Sequence, residues 1–465
     1  MYTISDKGDK ILRVAFYTLG CKVNQYETQV IRQSFESDGF DIVSSNDISD
    51  IYIVNSCTVT ANGDRKTRQM IRRFRRNNPN AIIALIGCFP QAFPQDAQIL
   101  NDADVVIGTQ NKSQVLDLIK EHMASGRRIV SISPHDDHEK FEKMSASTFY
   151  ERTRAFIKIQ DGCERHCSYC IIPTARGPIR SKPIEELKDE LNKLAGAGYK
   201  EVVLVGINLS CYGLDIGLRL IDAIRIACSI DGIERVRLGS IEPELLSDED
   251  ITALASLDKL CDQFHLSLQS GCDATLKRMN RHYTANEYAE LVGKLRNAFP
   301  NAAITTDIMV GFPGETAEEF EKSREFALKI SFAKAHVFAY SIRGGTPAAN
   351  LPNQVPQSIK EERSKIMIDT VNSTRKAFLQ AQVGQSFPVL FETISHDGWI
   401  EGYTPNYSPV KVKNLGEKND LPNSVLYVKI VEATEEFCLG VLDSCLYKGF
   451  MLRKRENSLL RLRQF

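Results

Sequence analysis

Apolar runs alternate with amphipathic stretches along most of the chain. Three runs in the first 140 residues have the length and composition of buried strands: RVAFYTLG (13–20), DIYIVNS (50–56) and AIIALIG (81–87). Helical patterns separate them, NQYETQVIRQSFESDG and then DRKTRQMIRRFRRN. Because strands that alternate with helices form parallel sheets, we expect a parallel α/β domain over residues 1–145.

A second series of strand-like runs begins at residue 155. Its six members are AFIKIQ (155–160), EVVLVG (201–206), RVRLGS (235–240), QFHLSL (263–268), AITTDIMV (303–310) and KAHVFAY (334–340). Helical patterns lie between them, so right-handed crossovers predict a parallel sheet of six β/α units. This is the size of an incomplete β/α barrel, which we place over residues 146–380. Such folds carry their chemistry at the carboxyl ends of the strands.

The C-terminal part of the chain has a different pattern. A linker at 341–357 precedes a helix that is expected to reach about Val383. Five short alternating strands follow: SFPVLFETIS, GWIEGYTPNY, PVKVKN, VLYVKIVEAT and CLGVLDS. Short strands separated by turn residues predict a small all-β barrel over residues 381–449. Residues 450–465 would form a basic tail.

Composition narrows the class of protein. The chain has 465 residues, a net charge of −1 and 43% hydrophobic residues, which suits a globular protein of two or three domains. No apolar run approaches the roughly 20 residues that span a bilayer, and the N-terminus lacks a signal pattern. We therefore expect a cytoplasmic protein that does not enter a membrane. In a reducing compartment, its 12 cysteines indicate metal binding or catalysis rather than disulfides.

Three cysteines form a CxxxCxxC group directly after the first barrel strand. Cys163, Cys167 and Cys170, hereafter the core trio, can bind three irons of a 4Fe–4S cluster and leave the fourth iron open. Zinc is the competing metal, but a structural zinc site needs four protein ligands. His166 adjoins Cys167 and would strain a tetrahedral site. The spacing therefore favours a cluster at the catalytic rim of the barrel.

Three further cysteines end the three N-terminal strands. Cys21, Cys57 and Cys88, hereafter the N-terminal trio, each follow one strand. The carboxyl ends of parallel strands share one edge of a sheet, so these residues should converge. Buried cysteines that pack as small hydrophobic residues are the alternative. Their identical placement in successive β/α units favours a second 4Fe–4S cluster, again with an open iron.

The core trio and its position resemble the radical S-adenosylmethionine (SAM) superfamily. The resemblance implies that the open iron binds the amino and carboxylate groups of SAM, and that one-electron reduction cleaves SAM to a 5′-deoxyadenosyl radical. Tyr169 matches the superfamily position whose backbone lies near the adenine, with simple packing as the alternative. Polar or glycine residues at other strand ends are further candidates for contact with SAM or substrate: Asn208, Ser267, Gln269 and Gly311.

Basic residues cluster in three places. Arg65, Arg68, Arg72 and Arg76 lie on one face of a predicted helix in which Asp64 is the only acidic residue. Arg176 and Arg180 follow the core trio, and the C-terminal tail is basic as well. A solvated surface is the usual explanation. Against a net charge near zero, however, this segregation predicts a local RNA-binding surface.

Aromatic residues in the small barrel are candidates for base stacking. Trp399 and Tyr403 could each contribute about 1–3 kcal/mol by stacking on a base. Packing within a small domain is the alternative. This region resembles the TRAM domain, an RNA-binding barrel.

Together these features resemble the methylthiotransferase family along essentially the whole chain. Four stretches are most similar to the branch that acts on N6-threonylcarbamoyladenosine at position 37 of tRNA: TLGCKVNQYET (18–28), NSCTVTANGDRKTRQMIRR (55–73), CSYCIIPTARGPIRSKP (167–183) and RLGSIEPE (237–244). The resemblance implies methylthiolation of C2 of the adenine, two 4Fe–4S clusters and two SAM molecules per turnover. It also implies a tRNA anticodon stem-loop as substrate and a flavodoxin- or ferredoxin-like electron donor. We take a monomer as the default, and Glu242 and Arg343 as candidates to recognise the threonylcarbamoyl group.

Three alternatives remain open at this point. The enzyme could act on isopentenyladenosine in tRNA, or on a ribosomal protein. The chain could also be a non-catalytic iron–sulfur or zinc protein that binds RNA.

Overall fold

A computed structural model describes residues 11–149, 153–395, 397–413 and 422–443. The basic tail at 450–465 lies outside the described residues. Among the helices that the structure describes, none combines the length and the apolar character needed to cross a membrane.

The N-terminal unit is a parallel sheet in the order β2-β1-β3-β4-β5-β6. Its strands are β1 (Arg13–Thr18), β2 (Asp41–Val43), β3 (Ile51–Ser56), β4 (Ile82–Gly87), β5 (Val105–Ile107) and β6 (Ile129–Ser131). Its helices are α1 (Lys22–Ser37), α2 (Ala61–Asn77), α3 (Cys88–Ala92), α4 (Pro94–Gln98) and α5 (Val115–Ser125). The prediction of a parallel α/β fold is confirmed. The sequence pattern missed β2, β5 and β6 because three residues are too few to show a period.

The central unit is the incomplete barrel. Its strands are β7 (Arg154–Lys158), β8 (Gln160–Asp161), β9 (Arg180–Ser181), β10 (Glu201–Val205), β11 (Arg235–Leu238), β12 (Ser240–Ile241), β13 (Gln263–Leu266), β14 (Ala303–Val310) and β15 (Lys334–Ala339). Two parallel sheets, β7-β10-β11 and β12-β13-β14-β15, meet where β11 passes into β12 at Gly239. Six strand positions therefore follow one another from β7 to β15, as predicted. The short strands β8 and β9 pair separately and antiparallel.

Helices connect these strands and cover the outside of the sheets. They are α6 (Ile172–Arg176), α7 (Ile184–Gly196), α8 (Leu220–Ser229), α9 (Asp248–Ala255), α10 (Asp273–Arg278), α11 (Ala285–Ala298), α12 (Ala317–Ile330) and α13 (Gln357–Gln380). Sequence signals explain individual helix starts. Thr316 accepts a hydrogen bond from the backbone of Glu319, whose side chain accepts one from the backbone of Thr316, so a capping box begins α12.

The C-terminal unit is a closed five-stranded barrel in the order β16-β17-β18-β20-β19. Its strands are β16 (Ser386–Ile394), β17 (Trp399–Tyr403), β18 (Pro409–Lys413), β19 (Val425–Ala433) and β20 (Cys438–Leu442). Alternate residues such as Val389, Phe391 and Val428 point inward and are fully buried. The predicted small all-β barrel is confirmed.

The small barrel docks on the amino ends of the central strands, away from the core trio. Arg235 and Arg237 on β11 donate hydrogen bonds to the backbone oxygens of Tyr403, Thr404 and Pro405. Both arginines are buried and pair with Glu201 at the start of β10, at 2.9 Å each. The opposite, carboxyl ends of the strands remain available for the catalytic rim.

Candidate active site

The core trio lies in the loop between β8 and α6. The Cys163 amide donates to the Gly177 carbonyl at 3.0 Å, and the Cys170 amide donates to the Cys167 carbonyl at 3.0 Å. Gly162 adopts a φ of +77°, and a Cβ there would collide with the Pro178 carbonyl oxygen. Glycine therefore lets the chain turn sharply into the loop that carries the three thiols.

The three thiols of the core trio are close enough to influence one another. Burial raises the pKa of Cys163. Burial also raises the pKa of Cys170, and with contributions from Cys167 and Cys163 that pKa reaches about 12. Thiolates in such a place need a compensating positive group. Iron ions bound by the trio would supply that charge.

Arg281 is a site residue that the sequence did not mark. It donates from Nη1 to the Cys167 sulfur at 3.2 Å and forms an ion pair with Glu242 through Nη2. Burial raises the pKa of Glu242, and Arg281 opposes that change. Glu242, predicted to read the substrate, is therefore held beside the core trio by an arginine. No period or motif distinguishes Arg281 in the sequence from the other arginines of α10 and its flanks.

Two amides at the rim have unused hydrogen-bonding capacity. Asn208 is 4% exposed, and its Nδ2 lies 3.9 Å from the Cys163 sulfur. Gln269 is 8% exposed and adopts a φ of +67° at the end of β13. Within the described residues, the side-chain oxygens of both amides lack a hydrogen-bond partner. Buried orphan acceptors of this kind fit a bound polar ligand such as SAM.

The other predicted SAM contacts take mainly structural positions. Tyr169 packs edge-on against Phe312, with ring centroids 6.4 Å apart. The Ser267 carbonyl accepts from the Tyr283 hydroxyl. Gly311 adopts a φ of +70°, and its amide donates to Glu315 at 2.9 Å. All three lie near the rim.

The N-terminal trio gathers at the carboxyl edge of its sheet. Cys21 follows β1 through a two-residue turn, Cys57 follows β3, and Cys88 begins α3 directly after β4. Gly20 adopts a φ of +99°, and a Cβ there would lie 2.8 Å from the Cys57 sulfur. Burial, with smaller contributions from Cys88 and Cys21, raises the pKa of Cys57 to about 12. The three cysteines therefore gather at one edge of the sheet, and the glycine leaves room beside Cys57.

Neither trio resembles a site for one metal ion. In the parts of the chain that the structure describes, no group of three or more His, Cys, Asp or Glu side chains is arranged to hold a single metal ion. A 4Fe–4S cluster binds each thiolate to a different iron atom, so its ligands do not converge on one point.

A buried ionic network joins the two trios. Arg176 ends α6, just beyond the core trio, and donates from Nε to the Cys88 sulfur at 3.2 Å. It also donates from Nη1 to Glu27 on α1 at 2.6 Å and to Asp161 at 3.2 Å. Lys158 bridges the same two carboxylates. Burial alone would raise the pKa of Glu27, but Arg176 and two lysines hold this pKa well below its usual range.

This network corrects two predicted RNA contacts. Arg176 has no exposed surface, and Arg180 is 6% exposed and pairs with Glu139. Burial lowers the pKa of Arg180 to about 10. Neither guanidinium can reach an RNA backbone in this conformation. The sequence of α1 contains one indication of this network. Glu27 lies on the same helix face as Val23 and Ile31, so a carboxylate occupies a position that should be apolar.

Arg343 also differs from its predicted role. It is 4% exposed and forms an ion pair with Asp64 on α2 at 2.6 Å. Its guanidinium lies over the Phe93 ring, with Cζ 4.4 Å from the centroid. Arg343 therefore fastens the loop after β15 to the N-terminal unit, beside Cys57, rather than facing an open substrate site.

The arginine face of α2 remains accessible. Arg65, Arg72 and Arg76 are exposed, and Arg68 lies over the Phe89 ring at 5.6 Å. Among the described residues, none of the four has a carboxylate within ion-pair distance. The helix begins four residues after Cys57, so this face adjoins the N-terminal trio.

The two aromatic candidates have different surroundings. Trp399 is half-buried on β17. Tyr403 stacks on Tyr407 with centroids 4.7 Å apart, and Arg154 lies over both rings at 4.9 and 5.0 Å. Tyr403 thus belongs to the junction between barrel and core, which corrects its assignment as a base-stacking residue.

Lys22, next to Cys21, projects into the open barrel. Its Nζ lies 5.9 Å from the centroid of the Phe156 ring on β7. Burial, with Arg154 and Arg237, lowers the pKa of Lys22 to about 8. The residue is nevertheless solvent-accessible, as expected for a side chain in a lumen that is open to water.

Comparison with known proteins identifies two matching families. Residues 13–108 match an uncharacterised protein family, UPF0004, and residues 157–327 match the radical SAM superfamily. The solved structure of the radical SAM methyltransferase TsrM from Kitasatospora setae is similar in fold, with a TM-score of 0.53 at 15% identity. That similarity covers 73% of this chain and 77% of TsrM.

Curated relatives align over nearly the full length. The chain is 37% identical to the threonylcarbamoyladenosine tRNA methylthiotransferase MtaB of Bacillus subtilis, over 90% of this chain and 94% of that protein. It is 38% identical to MtaB of Thermotoga maritima, over 87% and 92% of the two chains. The tRNA-2-methylthio-N(6)-dimethylallyladenosine synthase of Pelotomaculum thermopropionicum is 36% identical, over 80% and 85%.

Proposed function

The chain belongs to the radical SAM methylthiotransferase family, and on that premise we propose that it methylthiolates N6-threonylcarbamoyladenosine in tRNA. The hydrogen on C2 of the adenine is replaced by a methylthio group, which gives 2-methylthio-N6-threonylcarbamoyladenosine. The near full-length relatives at 37–38% identity that are named for this substrate support the choice.

The observation that carries the proposal is the contact between a residue just beyond the core trio and a sulfur of the N-terminal trio. Arg176 follows the core trio by six residues and touches the sulfur of Cys88 in the N-terminal trio. Radical generation and sulfur donation need adjacent centres, because the reacting carbon must face both. The contact therefore supports two clusters in adjacent sites.

Each trio would hold a 4Fe–4S cluster. Radical SAM enzymes use one such cluster with SAM to generate an oxidising radical, which is the chemistry that an unactivated aromatic C–H bond requires. Cys163, Cys167 and Cys170 would hold that cluster. Cys21, Cys57 and Cys88 would hold the second, from which the sulfur is transferred.

The protein residues around the core trio bind and orient. The side-chain oxygens of Asn208 and Gln269, which lack a partner among the described residues, would accept hydrogen bonds from SAM. Arg281 holds Glu242 and donates to the Cys167 sulfur. A hydrogen bond to a cluster sulfur is one of the means by which a protein sets the reduction potential.

The tRNA would be bound through the arginine face of α2. Arg65, Arg68, Arg72 and Arg76 lack carboxylate partners among the described residues and adjoin the N-terminal trio. Guanidinium groups bind phosphates as forked donors, so this face suits the backbone of an anticodon stem-loop. Trp399 on the small barrel remains a candidate for stacking on a base.

One turnover requires external components. One SAM would supply the methyl group, and a second SAM, cleaved with an external electron to release methionine, would take up the hydrogen of C2 as 5′-deoxyadenosine. A flavodoxin- or ferredoxin-like protein would supply electrons, and the sulfur taken from the second cluster must be replaced.

Anaerobically reconstituted protein with both SAM and a reductant tests the proposal. We expect methylthiolation of tRNA that carries threonylcarbamoyladenosine, two equivalents of SAM consumed per product and about eight irons per chain. Zinc, or about four irons, would contradict the two-cluster assignment.

A relative at 36% identity is named for dimethylallyladenosine, so tRNA that carries isopentenyladenosine is the matched alternative substrate. Product from that tRNA alone would replace the proposed substrate. Product on a ribosomal protein alone would place the enzyme in the protein-modifying branch.

A further inference from the structure

We propose that Lys22 binds the carboxylate of the threonylcarbamoyl group and so selects the substrate; this inference rests on the proposed function. Lys22 directly follows Cys21 of the N-terminal trio and begins α1. Its side chain is therefore placed by the same turn that places a cluster ligand.

The position of Lys22 is defined by strands at both edges of the open barrel. Its Nζ lies 5.9 Å from the Phe156 ring centroid on β7, the first strand. The strand register aligns Phe156 with Val203 and Arg237, so these side chains share one face. Burial chiefly lowers the pKa of His336 on β15, the last strand, and Lys22 makes a small contribution in the same direction. The Phe156 contact places the ammonium on the lumen side of β7.

Lys22 has no carboxylate partner among the described residues, whereas two arginines of the lumen each have one. Arg237 pairs with Glu201 at 2.9 Å, and Arg154 pairs with Glu392 at 2.6 Å. For Lys22 the structure describes only the Phe156 ring as a direct contact. An ammonium that no carboxylate neutralises can bind an anionic ligand through a charge-assisted hydrogen bond.

Polar groups on the facing strands complete a subsite. His265 on β13 lies 3.4 Å from Asp307 on β14, and its other ring nitrogen lies 3.1 Å from the Thr305 hydroxyl. His336 lies beside His265, with ring centroids 6.3 Å apart. These groups offer hydrogen-bond donors and acceptors that fit a hydroxyl and a carbamoyl group.

The chemistry of the substrate explains why the residue after Cys21 should meet this carboxylate. C2 and C6 of adenine both flank N1, so a substituent on N6 projects from the same edge of the base as the carbon that receives sulfur. If C2 faces the N-terminal trio, the N6 substituent extends past the residue beside Cys21. The threonyl carboxylate is the one anionic group of that substituent. A dimethylallyl group is uncharged and would leave Lys22 unpaired.

Binding by the reconstituted protein tests the assignment. Fluorescence anisotropy would compare anticodon stem-loops with and without the threonylcarbamoyl group. We expect the wild-type protein to prefer the modified stem-loop by about tenfold or more, which is the effect of one charge-assisted hydrogen bond. Lys22→Gln should remove most of that preference, and Lys22→Arg should keep most of it. Lys120→Gln is the matched control, because Lys120 pairs with Asp38 on the surface.

A wild-type measurement keeps the test independent of how the variants fold. A stem-loop whose threonyl carboxylate is converted to an amide should bind about tenfold more weakly than the natural stem-loop. Equal affinity for the acid and the amide would overturn the assignment. So would a Lys22→Gln protein that keeps its preference.

A loss of affinity in Lys22→Gln that is equal for both stem-loops would assign Lys22 to a backbone phosphate instead, and would also overturn the proposal. Failure of the proposed function has a different signature, because the wild-type protein itself would then show neither preference for nor turnover of the threonylcarbamoyl substrate.

Discussion

Arg176 donates a hydrogen bond from Nε to the sulfur of Cys88, at 3.2 Å. Arg176 ends the helix that follows the core trio, whereas Cys88 belongs to the N-terminal trio. The same guanidinium binds Glu27 and Asp161, one carboxylate from each unit. One fully buried side chain thus fixes the relative position of the two candidate cluster sites.

Arg176→Lys should separate charge from geometry. Lysine keeps the positive charge, but it cannot bind Cys88, Glu27 and Asp161 at once as the planar fork does. We expect methylthio transfer to fall by tenfold or more and the electron paramagnetic resonance signal of the N-terminal cluster to change. The core cluster should still cleave SAM. Unchanged spectra and activity in a folded Arg176→Lys protein would show that the contact has no role.

Cys57→Ala should uncouple the two chemical steps. Loss of one ligand of the N-terminal trio removes its cluster, while the core trio is untouched. SAM cleavage to 5′-deoxyadenosine should persist, and methylthio transfer should stop, as measured by chromatography of both products. Cys228→Ala is the control, because Cys228 lies half-buried on α8 outside both trios. Loss of both activities in Cys57→Ala would indicate a structural role for this cysteine.

Glu201 should make stability depend on pH. Burial alone would raise the pKa of Glu201, but Arg237 and Arg235 lower it from 4.5 to about 2. A carboxyl whose pKa is depressed in the folded state contributes stability above its unfolded pKa, and this contribution is lost as pH falls from about 4.5 to about 2. Urea unfolding should therefore show a lower free energy of unfolding at about pH 3.5 than at about pH 7.

The Glu201→Gln variant isolates this contribution. It should be less stable than the wild type by about 3 kcal/mol at neutral pH, because two buried arginines lose their partner. It should also lose less stability on acidification. Glu318→Gln, which removes an exposed carboxylate on α12, should behave as the wild type. An equal acid-induced loss in Glu201→Gln and the wild type would exclude Glu201 as a source of the pH dependence.

The arginine face of α2 should determine the salt dependence of tRNA binding. Each phosphate contact that is lost should reduce the slope of log K against log salt by about 0.7–0.9. The double variant Arg72→Gln, Arg76→Gln should therefore bind more weakly and with a slope smaller by about 1.4–1.8. Arg324→Gln is the control, because Arg324 lies on α12 and pairs there with Glu321. An unchanged slope would move the RNA surface elsewhere.

The sequence predicted the elements with strong periods. The six strand positions of the barrel, the five strands of the C-terminal unit and three strands of the N-terminal sheet all showed a clear pattern. The long helix before the small barrel ends at Gln380, close to the expected Val383. These features follow from hydrophobic alternation, which depends only on neighbouring residues.

Side-chain partners across units could not be predicted in the same way. Arg176 and Arg180 are basic residues just after the core trio, which the sequence alone cannot distinguish from RNA contacts, and Arg343 was a candidate to recognise the threonylcarbamoyl group. Their partners Glu27, Glu139 and Asp64 lie 149, 41 and 279 residues away. Arg281 and Lys22 could not be identified as site residues from the sequence for the same reason, because the residues that they contact are far from them in the chain. The roles of these residues therefore depend on contacts between residues that are far apart in the sequence, and no local sequence pattern indicates such contacts.

Nucleoside mass spectrometry of tRNA from a strain that lacks this protein tests the central claim most directly. We predict that 2-methylthio-N6-threonylcarbamoyladenosine disappears, that its precursor N6-threonylcarbamoyladenosine accumulates, and that the methylthiolated isopentenyladenosine level is unchanged. The wild-type chain should restore the product, and the Cys57→Ala chain should not. An unchanged level of 2-methylthio-N6-threonylcarbamoyladenosine in the deletion strain would contradict the proposed substrate.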